Sequence, residues 1–263
     1  MIRLLAALAV TLSCLVFATS VIAADQWGDL SLRLVYDGEP SKPAPLKIDR
    51  DKGICKEGEL VDESLLVGAK DKGLANVVVW LAQASGEPAV PIHPDYEKNI
   101  PAESALHIKG CRYERHVTLV RLPQALVIHN QDPIAYNVRC DLAANTSFNV
   151  LLRADEKQHY GFQAAEKLPV PLSDAVHPWM RGWLVIRDDP YAAVSDASGK
   201  IVLKNLPVGR WTFRLWHERC GYLRSFKRGD EDVLWPKEGL TLDIKVGAND
   251  LGDALVNPEI FAK

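Results

Sequence analysis

The chain has 263 residues, of which 31 are Lys or Arg and 34 are Asp or Glu, and its formal net charge at pH 7 is −3. This near-balance of charge gives no reason to expect nucleic acid or anionic lipid as a partner. At this length the chain can bury one large hydrophobic core or two modest ones.

The N-terminus has the pattern of a secretory signal peptide over residues 1–24. A short head with one arginine precedes an apolar, uncharged run over residues 4–18, and the small residues Ala23 and Ala24 stand just before Asp25. This order predicts cleavage and export, to the periplasm or outside the cell. A retained membrane anchor is the alternative, because the apolar run approaches spanning length, but the small residues at its end favour cleavage.

The rest of the sequence has the pattern of short β-strands separated by turn residues. Apolar–polar alternation or short β-branched runs indicate strands over residues 30–34, 76–81, 116–120, 125–129, 148–152, 183–187, 200–203, 211–216 and 240–246. One short helix is predicted near residues 161–167. Many short strands with frequent Gly, Pro, Asn and Asp between them predict an all-β fold built of sandwiches or a barrel.

Turn residues place a domain boundary at Arg187-Asp-Asp-Pro190. Two further turn signals, at residues 196–199 and 206–209, are each followed by a strand, which is typical of a small sandwich. The sequence therefore predicts a first domain over residues 25–187, a second over residues 188–255 and a tail over residues 256–263.

Two segments carry side chains that could bind a ligand. His177 and Met180 lie three residues apart on a proline-containing turn before a strand, and imidazole and thioether groups are ligands that copper accepts. In the alternative interpretation, Trp179 and Met180 cap a core while His177 bonds its own turn. The second segment, Asn130-Gln-Asp-Pro133, also reads as an ordinary turn whose side chains bond the backbone.

Taken in order, eight segments resemble a family of exported bacterial cupredoxin-like proteins, described as plastocyanin-like or methylamine-utilisation-type. The segments are Gly73-Leu-Ala-Asn-Val-Val-Val-Trp80, Gly110-Cys-Arg-Tyr-Glu-Arg-His-Val117, Asn130-Gln-Asp-Pro133, Phe148-Asn149, His177-Pro-Trp-Met180, Asp189-Pro-Tyr-Ala192, Leu206-Pro-Val-Gly209 and Trp216-His-Glu218. The resemblance implies a cupredoxin-like Greek-key sandwich followed by a small transthyretin-like, or carboxypeptidase-regulatory-like, β-sandwich.

The resemblance also implies a metal site in which two ligands have been replaced. The family's histidine after the Asn-x-Asp-Pro turn corresponds to Tyr136, and its cysteine before His-Pro-Trp-Met corresponds to Asp174, while His177 and Met180 are retained. Blue-copper chemistry depends on a Cu–thiolate bond, which an aspartate cannot supply. These four residues therefore form a degenerate type 1 copper site, and Cys140 could substitute only if its strand shifted register.

Four cysteines follow the signal peptide, Cys55, Cys111, Cys140 and Cys220. Export permits disulfides, and four cysteines allow three pairings that sequence alone cannot rank. The resemblance implies a bridge between Cys55 and Cys111, which would tie the N-terminal segment to the first sandwich. Cys140 and Cys220 are then either a second pair or two free thiols.

These features predict an exported cupredoxin-fold binding or structural module that is not a blue-copper electron carrier. No cofactor is expected, and copper is the alternative. The alternative is a protein that binds copper or another divalent metal in periplasmic electron transfer or metal handling. A third hypothesis is carbohydrate binding by aromatic rings of the second sandwich, at Trp211, Trp216, Tyr222 and Trp235, although alternation puts Trp211 and Trp216 on opposite faces.

No Ser-His-Asp or paired-carboxylate pattern in the sequence indicates an enzyme. The expected partner is a redox or envelope protein. Neither nucleic acid nor stable insertion in a membrane after signal cleavage is expected.

Overall fold

The computed structural model describes residues 26–56, 58–83 and 89–262. The predicted signal peptide over residues 1–24 and the last residue of the predicted tail lie outside this part of the chain. Within the described ranges, no helix has the length and apolar composition needed to cross a membrane. Nearly all of the regular structure is β-strand, which confirms the predicted all-β fold.

The strands are short and separated by turns, as the sequence pattern indicates. They are β1 (Trp27–Tyr36), β2 (Val78–Leu81), β3 (Glu103–Ile108), β4 (Val117–Arg121), β5 (Ala125–Asn130), β6 (Tyr136–Cys140), β7 (Phe148–Leu152), β8 (Lys157–Tyr160), β9 (Val170–Asp174), β10 (Arg181–Arg187), β11 (Ala192–Val194), β12 (Lys200–Pro207), β13 (Gly209–His217), β14 (Gly221–Tyr222), β15 (Ser225–Arg228), β16 (Glu231–Leu234), β17 (Leu240–Ile244) and β18 (Gly247–Val256). The helical elements are α1 (Pro94–Lys98) and a 3₁₀ turn (Pro258–Phe261).

Strands β3 to β10 form a first sandwich of two sheets. One sheet has the order β4-β10-β9-β6-β7 and the other has the order β3-β5-β8. Within these sheets β4 and β10 run parallel, as do β3 and β5, and the remaining pairs are antiparallel. The chain passes repeatedly from one sheet to the other, which fits the cupredoxin-like sandwich that the resemblance implied.

Alternation along two neighbouring strands of the first sandwich determines what enters its core. Side chains on a strand point to opposite faces in turn, and the buried ones here are Tyr136, Val138 and Cys140 on β6 and Val170, Leu172 and Asp174 on β9. Asp174 is paired with Val138 across the two strands. A carboxylate therefore lies in the core layer, close to a tyrosine on the adjacent strand.

Strands β1, β2 and β11 to β18 form a second sandwich. Its sheets have the orders β12-β1-β18-β15-β16 and β11-β2-β13-β14, with β17 also paired to β13. The predicted boundary after Arg187 coincides with the end of β10, but the assignment of residues 25–187 to one domain is corrected, since β1 and β2 pair with strands of the second sandwich. Local alternation identifies strands without specifying distant partners, which explains the error.

A small apolar cluster joins the two sandwiches. Its buried members are Val78, Trp80 and Trp216 from the second sandwich and Val117 and Val185 from the first. Trp183 stands edge-on to Trp216, with 4.6 Å between the ring centroids. Trp235 is fully buried in the second core. Two of the four aromatic residues considered for carbohydrate stacking, Trp216 and Trp235, are therefore packed in the protein interior and offer no exposed ring face.

Residues 161–167 are not helical, so that prediction is wrong. Side-chain acceptors take backbone donors that a helix would need, because Asn145 Oδ1 accepts hydrogen bonds from the N–H groups of Gln163 and Ala164. The helix α1 begins instead after His93, whose Nδ1 accepts from the Asp95 N–H.

Residues 256–262, which belong to the predicted tail, lie against the second sandwich. Val256 ends β18, and the 3₁₀ turn that follows carries Phe261 into the core of the second sandwich. An aromatic ring of this size buries enough apolar area to hold a chain end in place.

Candidate functional site

The loop between β9 and β10 carries the retained histidine and is shaped by Asp174. Asp174 Oδ1 accepts hydrogen bonds from the N–H groups of Val176, at 2.8 Å, and His177, at 2.6 Å. The Met180 N–H donates to the His177 carbonyl at 2.9 Å, which closes the next turn. Because Asp174 bonds backbone donors two and three residues ahead, it acts as an Asx turn residue and fixes the position of His177.

The other oxygen of Asp174 links the loop to the neighbouring strand. Oδ2 accepts a hydrogen bond from the Asn137 N–H at 2.6 Å. Asp174 is 3% exposed, and a carboxylate buried to this degree is tolerated only when it is well hydrogen-bonded. Three backbone donors supply those bonds, so Asp174 acts as a structural acceptor.

The imidazole of His177 lies between two carboxylates. Its Nδ1 is 3.2 Å from Asp174 Oδ1 and its Nε2 is 2.8 Å from Asp51 Oδ2. The His177 side chain is completely buried, whereas that of Asp51 is 41% exposed. Carboxylate oxygens accept hydrogen bonds. Each ring nitrogen of His177 therefore faces an acceptor within the chain.

Tyr136 contacts the same imidazole but directs its hydroxyl elsewhere. The two ring centroids are 4.9 Å apart, and Tyr136 Oη donates to Asp132 Oδ2 at 2.7 Å. Burial, together with the hydrogen bond to Asp132, raises the pKa of Tyr136. The phenol therefore stays neutral and acts as a donor, which makes it a poor substitute for an imidazole ligand.

Asp132 itself belongs to the Asn-Gln-Asp-Pro turn and fixes a second turn. Its two oxygens accept from the N–H groups of Gly110 and Cys111, at 2.8 and 2.9 Å. Asn130 is fully buried and donates through Nδ2 to the carbonyl oxygens of Ile134 and Arg153. These hydrogen bonds agree with the interpretation of the segment as a turn whose side chains bond the backbone.

Met180 lies in the core of the first sandwich. It is 2% exposed and belongs to the same buried cluster as Tyr136, and Trp179 packs against that cluster. The ring of Trp179 is 5.2 Å from that of His177, and its Nε1 donates to the Cys111 carbonyl. The structure thus brings Tyr136, Asp174 and His177 into contact, with Met180 buried nearby.

Cys55 and Cys111 are joined by a disulfide, as the resemblance implied. The bridge bears directly on the site, because the Asp51 carbonyl accepts from the Cys55 N–H, while Cys111 bonds Asp132 and Trp179. Asp51, which sequence reasoning missed, belongs to the N-terminal segment that the bridge ties to the first sandwich, and it reaches His177 from there. Nothing in its local sequence signals the contact.

Cys140 is a buried thiol in the first core, and Cys220 packs against the second core. Burial raises the pKa of Cys140 to about 12, which leaves it protonated and a poor metal ligand. In the described part of the chain these two cysteines are not bonded to each other.

The residues at this position do not fit a type 1 copper ion. Asp174 stands where a thiolate is needed, both nitrogens of His177 face carboxylates, and the Tyr136 hydroxyl is bonded to Asp132. Among the described residues, no three or more His, Cys, Asp or Glu side chains are arranged to hold a metal ion. The arrangement is a connected hydrogen-bond network in which each member has a partner.

A second polar network, which the sequence did not reveal, crosses the interface between the sandwiches. His116 Nε2 bonds Glu218, His116 Nδ1 lies 3.7 Å from Glu63, and Trp183 Nε1 donates to Glu218 at 2.9 Å. Burial opposes a charge on His116, but the hydrogen bond to Glu218 and the nearby carboxylate of Glu63 outweigh it and raise its pKa to about 9. The adjacent His217 is different, because burial lowers its pKa to about 4.

The comparisons with known proteins concern the fold. No protein-family model matches the chain, and no match is found among curated proteins. Amicyanin from Paracoccus versutus is 16% identical over 41% of this chain and 96% of its own, with a TM-score of 0.29. A Cu-containing nitrite reductase from Thermus scotoductus is 15% identical over 40% of this chain and 24% of its own, with a TM-score of 0.30. At these scores the likeness supports no statement about a ligand or an activity of this chain.

Proposed function

We propose that this protein is an exported, non-catalytic binding or structural module whose cupredoxin-like sandwich has exchanged its copper site for a hydrogen-bonded carboxylate–imidazole network. One observation carries the proposal. Both nitrogens of His177 face carboxylate oxygens, at 3.2 Å from Asp174 and 2.8 Å from Asp51.

The chemistry of the donors supports a structural role for the network. A blue-copper centre needs a thiolate, two imidazoles and a weak axial ligand, and this chain offers one imidazole at that position. Asp174 uses its oxygens for three backbone N–H groups, so ligating a metal would leave buried donors unpaired at a cost of about 1–3 kcal/mol each.

The remaining features of the proposal rest on the sequence. The pattern over residues 1–24 supports export to the periplasm or beyond. The order of segments after Arg187 supports a transthyretin-like or carboxypeptidase-regulatory-like second sandwich. A redox or envelope protein is the proposed partner of the whole molecule.

A copper titration tests the proposal. Purified protein would be titrated with Cu(II), and separately with Cu(I), and followed by visible absorption and calorimetry. The proposal predicts no intense thiolate-to-copper band and no stoichiometric binding that is lost on His177→Ala. A Tyr136→His, Asp174→Cys double variant restores the family's ligand set and is the positive control for the assay. An intense band in the unaltered protein would overturn the proposal.

The second candidate function is binding of copper or another divalent metal, and the exposure of Asp51 favours it. Of the two carboxylates that face His177, Asp51 is the one that reaches solvent, with 41% of its side chain exposed, so its movement would release Nε2. Binding through Nε2 should then be stronger in Asp51→Ala than in the unaltered protein. Stoichiometric binding by the unaltered protein that disappears in His177→Ala would establish this function in place of the first.

A further inference from the structure

A groove between the two sandwiches lies away from the His177 network. It has a volume of about 430 Å³ and is bounded by α1, the ends of β4 and β10, and residues of β11 and β12. Much of its wall is apolar, formed by Ile100, Pro101, Leu119, Val120, Pro190 and Ala192. Small-molecule sites favour such positions between structural units, with volumes of about 300–1,000 Å³.

Two arginines enter this groove side by side. Arg121 ends β4 and Arg187 ends β10, and they are paired directly across the two parallel strands. Both line the groove. Like charges directly opposite each other on adjacent strands are destabilising unless a counter-charge lies between them.

Arg187 has its own carboxylate. Its guanidinium donates to Asp189 Oδ2 at 3.0 Å, and Asp189 is 5% exposed. The Arg187 guanidinium also lies 4.0 Å from Asp188 Oδ1, and in the described part of the chain neither of these carboxylates pairs with Arg121.

Arg121 has no such partner in the described part of the chain. Its Nη1 donates to the Tyr96 carbonyl at 2.9 Å, and its guanidinium carbon lies 5.8 Å from the centroid of the Tyr96 ring. Among the described residues, no carboxylate pairs with Arg121, and the buried Nε atoms of Arg121 and Arg187 have no hydrogen-bond partner. Asp95 also borders the groove, but its side chain is 63% exposed and lies near His93.

We propose that this groove binds a small organic anion, with its carboxylate on Arg121 and its apolar body along the wall formed by β4 and β11. The Nε atom of Arg121 is buried and has no hydrogen-bond partner among the described residues, which is costly, and a carboxylate matches the planar fork of donors that arginine presents. The apolar wall then selects for a hydrocarbon or aromatic body over a small hydrated anion.

The test compares three probes on the purified protein by isothermal titration calorimetry. 4-Phenylbutanoate carries the carboxylate and the apolar body, 4-phenylbutanamide carries the body alone, and inorganic phosphate carries charge alone. The expected order is tightest binding for 4-phenylbutanoate, with the amide and phosphate each weaker by roughly tenfold or more. Equal affinity for the acid and its amide, or tighter binding of phosphate, would overturn the proposal.

Two variants locate the binding. Arg121→Gln keeps a polar side chain but removes the charge, and it should weaken 4-phenylbutanoate binding by roughly tenfold or more while leaving amide binding unchanged. Arg153→Gln is the matched control, because the Arg153 side chain is 77% exposed on the first sandwich. Circular dichroism and thermal unfolding confirm that both variants are folded. Unaltered binding by Arg121→Gln, or equal losses in both variants, would contradict the assignment, and neither result bears on copper binding.

Discussion

Two clusters of polar side chains, one around His177 and one at the ends of β4 and β10, differ in how many of their buried polar atoms have a hydrogen-bond partner. Around His177, each donor and acceptor of Asp174, Asp132 and the imidazole has a partner within the chain. In the groove beside Arg121, the Nε atoms of two arginines have no partner among the described residues. Since buried polar groups are nearly always paired, the complete network needs no further partner, whereas the unpaired Nε atoms are the observation from which the anion site is proposed.

The largest expected effect concerns the disulfide that ties Asp51 to the site. Replacing Cys55 and Cys111 by Ser opens a loop with a sequence separation of 56 residues, which should cost about 4 kcal/mol of unfolding free energy in the chain-entropy model. Urea unfolding measures this loss. A change below about 1 kcal/mol would show that the N-terminal segment is held by other contacts.

Asp174 and Asp51 provide a matched pair, because both carboxylates contact His177. Asp174→Ala removes a buried acceptor of three backbone hydrogen bonds and should cost about 3 kcal/mol. Asp51→Ala removes a half-exposed partner and should cost about 1 kcal/mol or less. Urea midpoints of the two variants measure the difference, and equal losses would refute the view that Asp174 is the organising residue.

The two interface histidines should give stability a maximum near pH 6.5. The folded protein holds a proton on His116 with a pKa of about 9, against an ordinary value of 6.5, so this contribution is complete below pH 6.5 and is lost as pH rises through about 9. His217, with a pKa of about 4, favours the unfolded state as pH falls from 6.5 towards 4. Each effect amounts to about 3 kcal/mol at most.

Thermal unfolding across pH 4–10 measures this profile. In His116→Gln the unfolding temperature should no longer fall as pH rises above 6.5, while the slope on the acid side is kept. In His217→Gln it should no longer fall as pH drops below 6.5, while the slope on the alkaline side is kept. A profile that keeps both slopes in these variants would place the titrating groups elsewhere.

A small effect, comparable to that of Asp51→Ala, is expected at the tyrosine. Tyr136→Phe leaves Asp132 its two backbone donors, at Gly110 and Cys111, and should cost about 1 kcal/mol. Urea unfolding measures the change. A loss as large as that of Asp174→Ala would show that the phenol is as central as the carboxylate.

Much of the fold was predictable from local patterns, and the assembly was not. Alternation and β-branched runs identify strands such as β10 and β17, because side-chain direction is set within the strand. The membership of β1 and β2 in the second sandwich depends on pairing with residues more than a hundred positions away, which no local pattern encodes.

In the candidate site, too, some residues could be identified from the sequence and others depend on tertiary structure. The resemblance identified Tyr136, Asp174, His177 and Met180 as neighbouring positions and implied the Cys55–Cys111 bridge. Asp51 has no sequence signal, since its contact with His177 depends on where the whole N-terminal segment packs in the folded protein. The pairing of Arg121 with Arg187 follows from the parallel register of β4 and β10, which is likewise a tertiary property.

The most direct test of the account is the state of the His177 ring. Its two ring-nitrogen chemical shifts would be recorded by long-range ¹H–¹⁵N NMR before and after addition of one equivalent of Cu(I). The account predicts that both nitrogens show hydrogen-bonded shifts that copper does not change, because carboxylates already occupy both sides of the ring. Movement of either nitrogen to the shift of a metal-bound imidazole would contradict it.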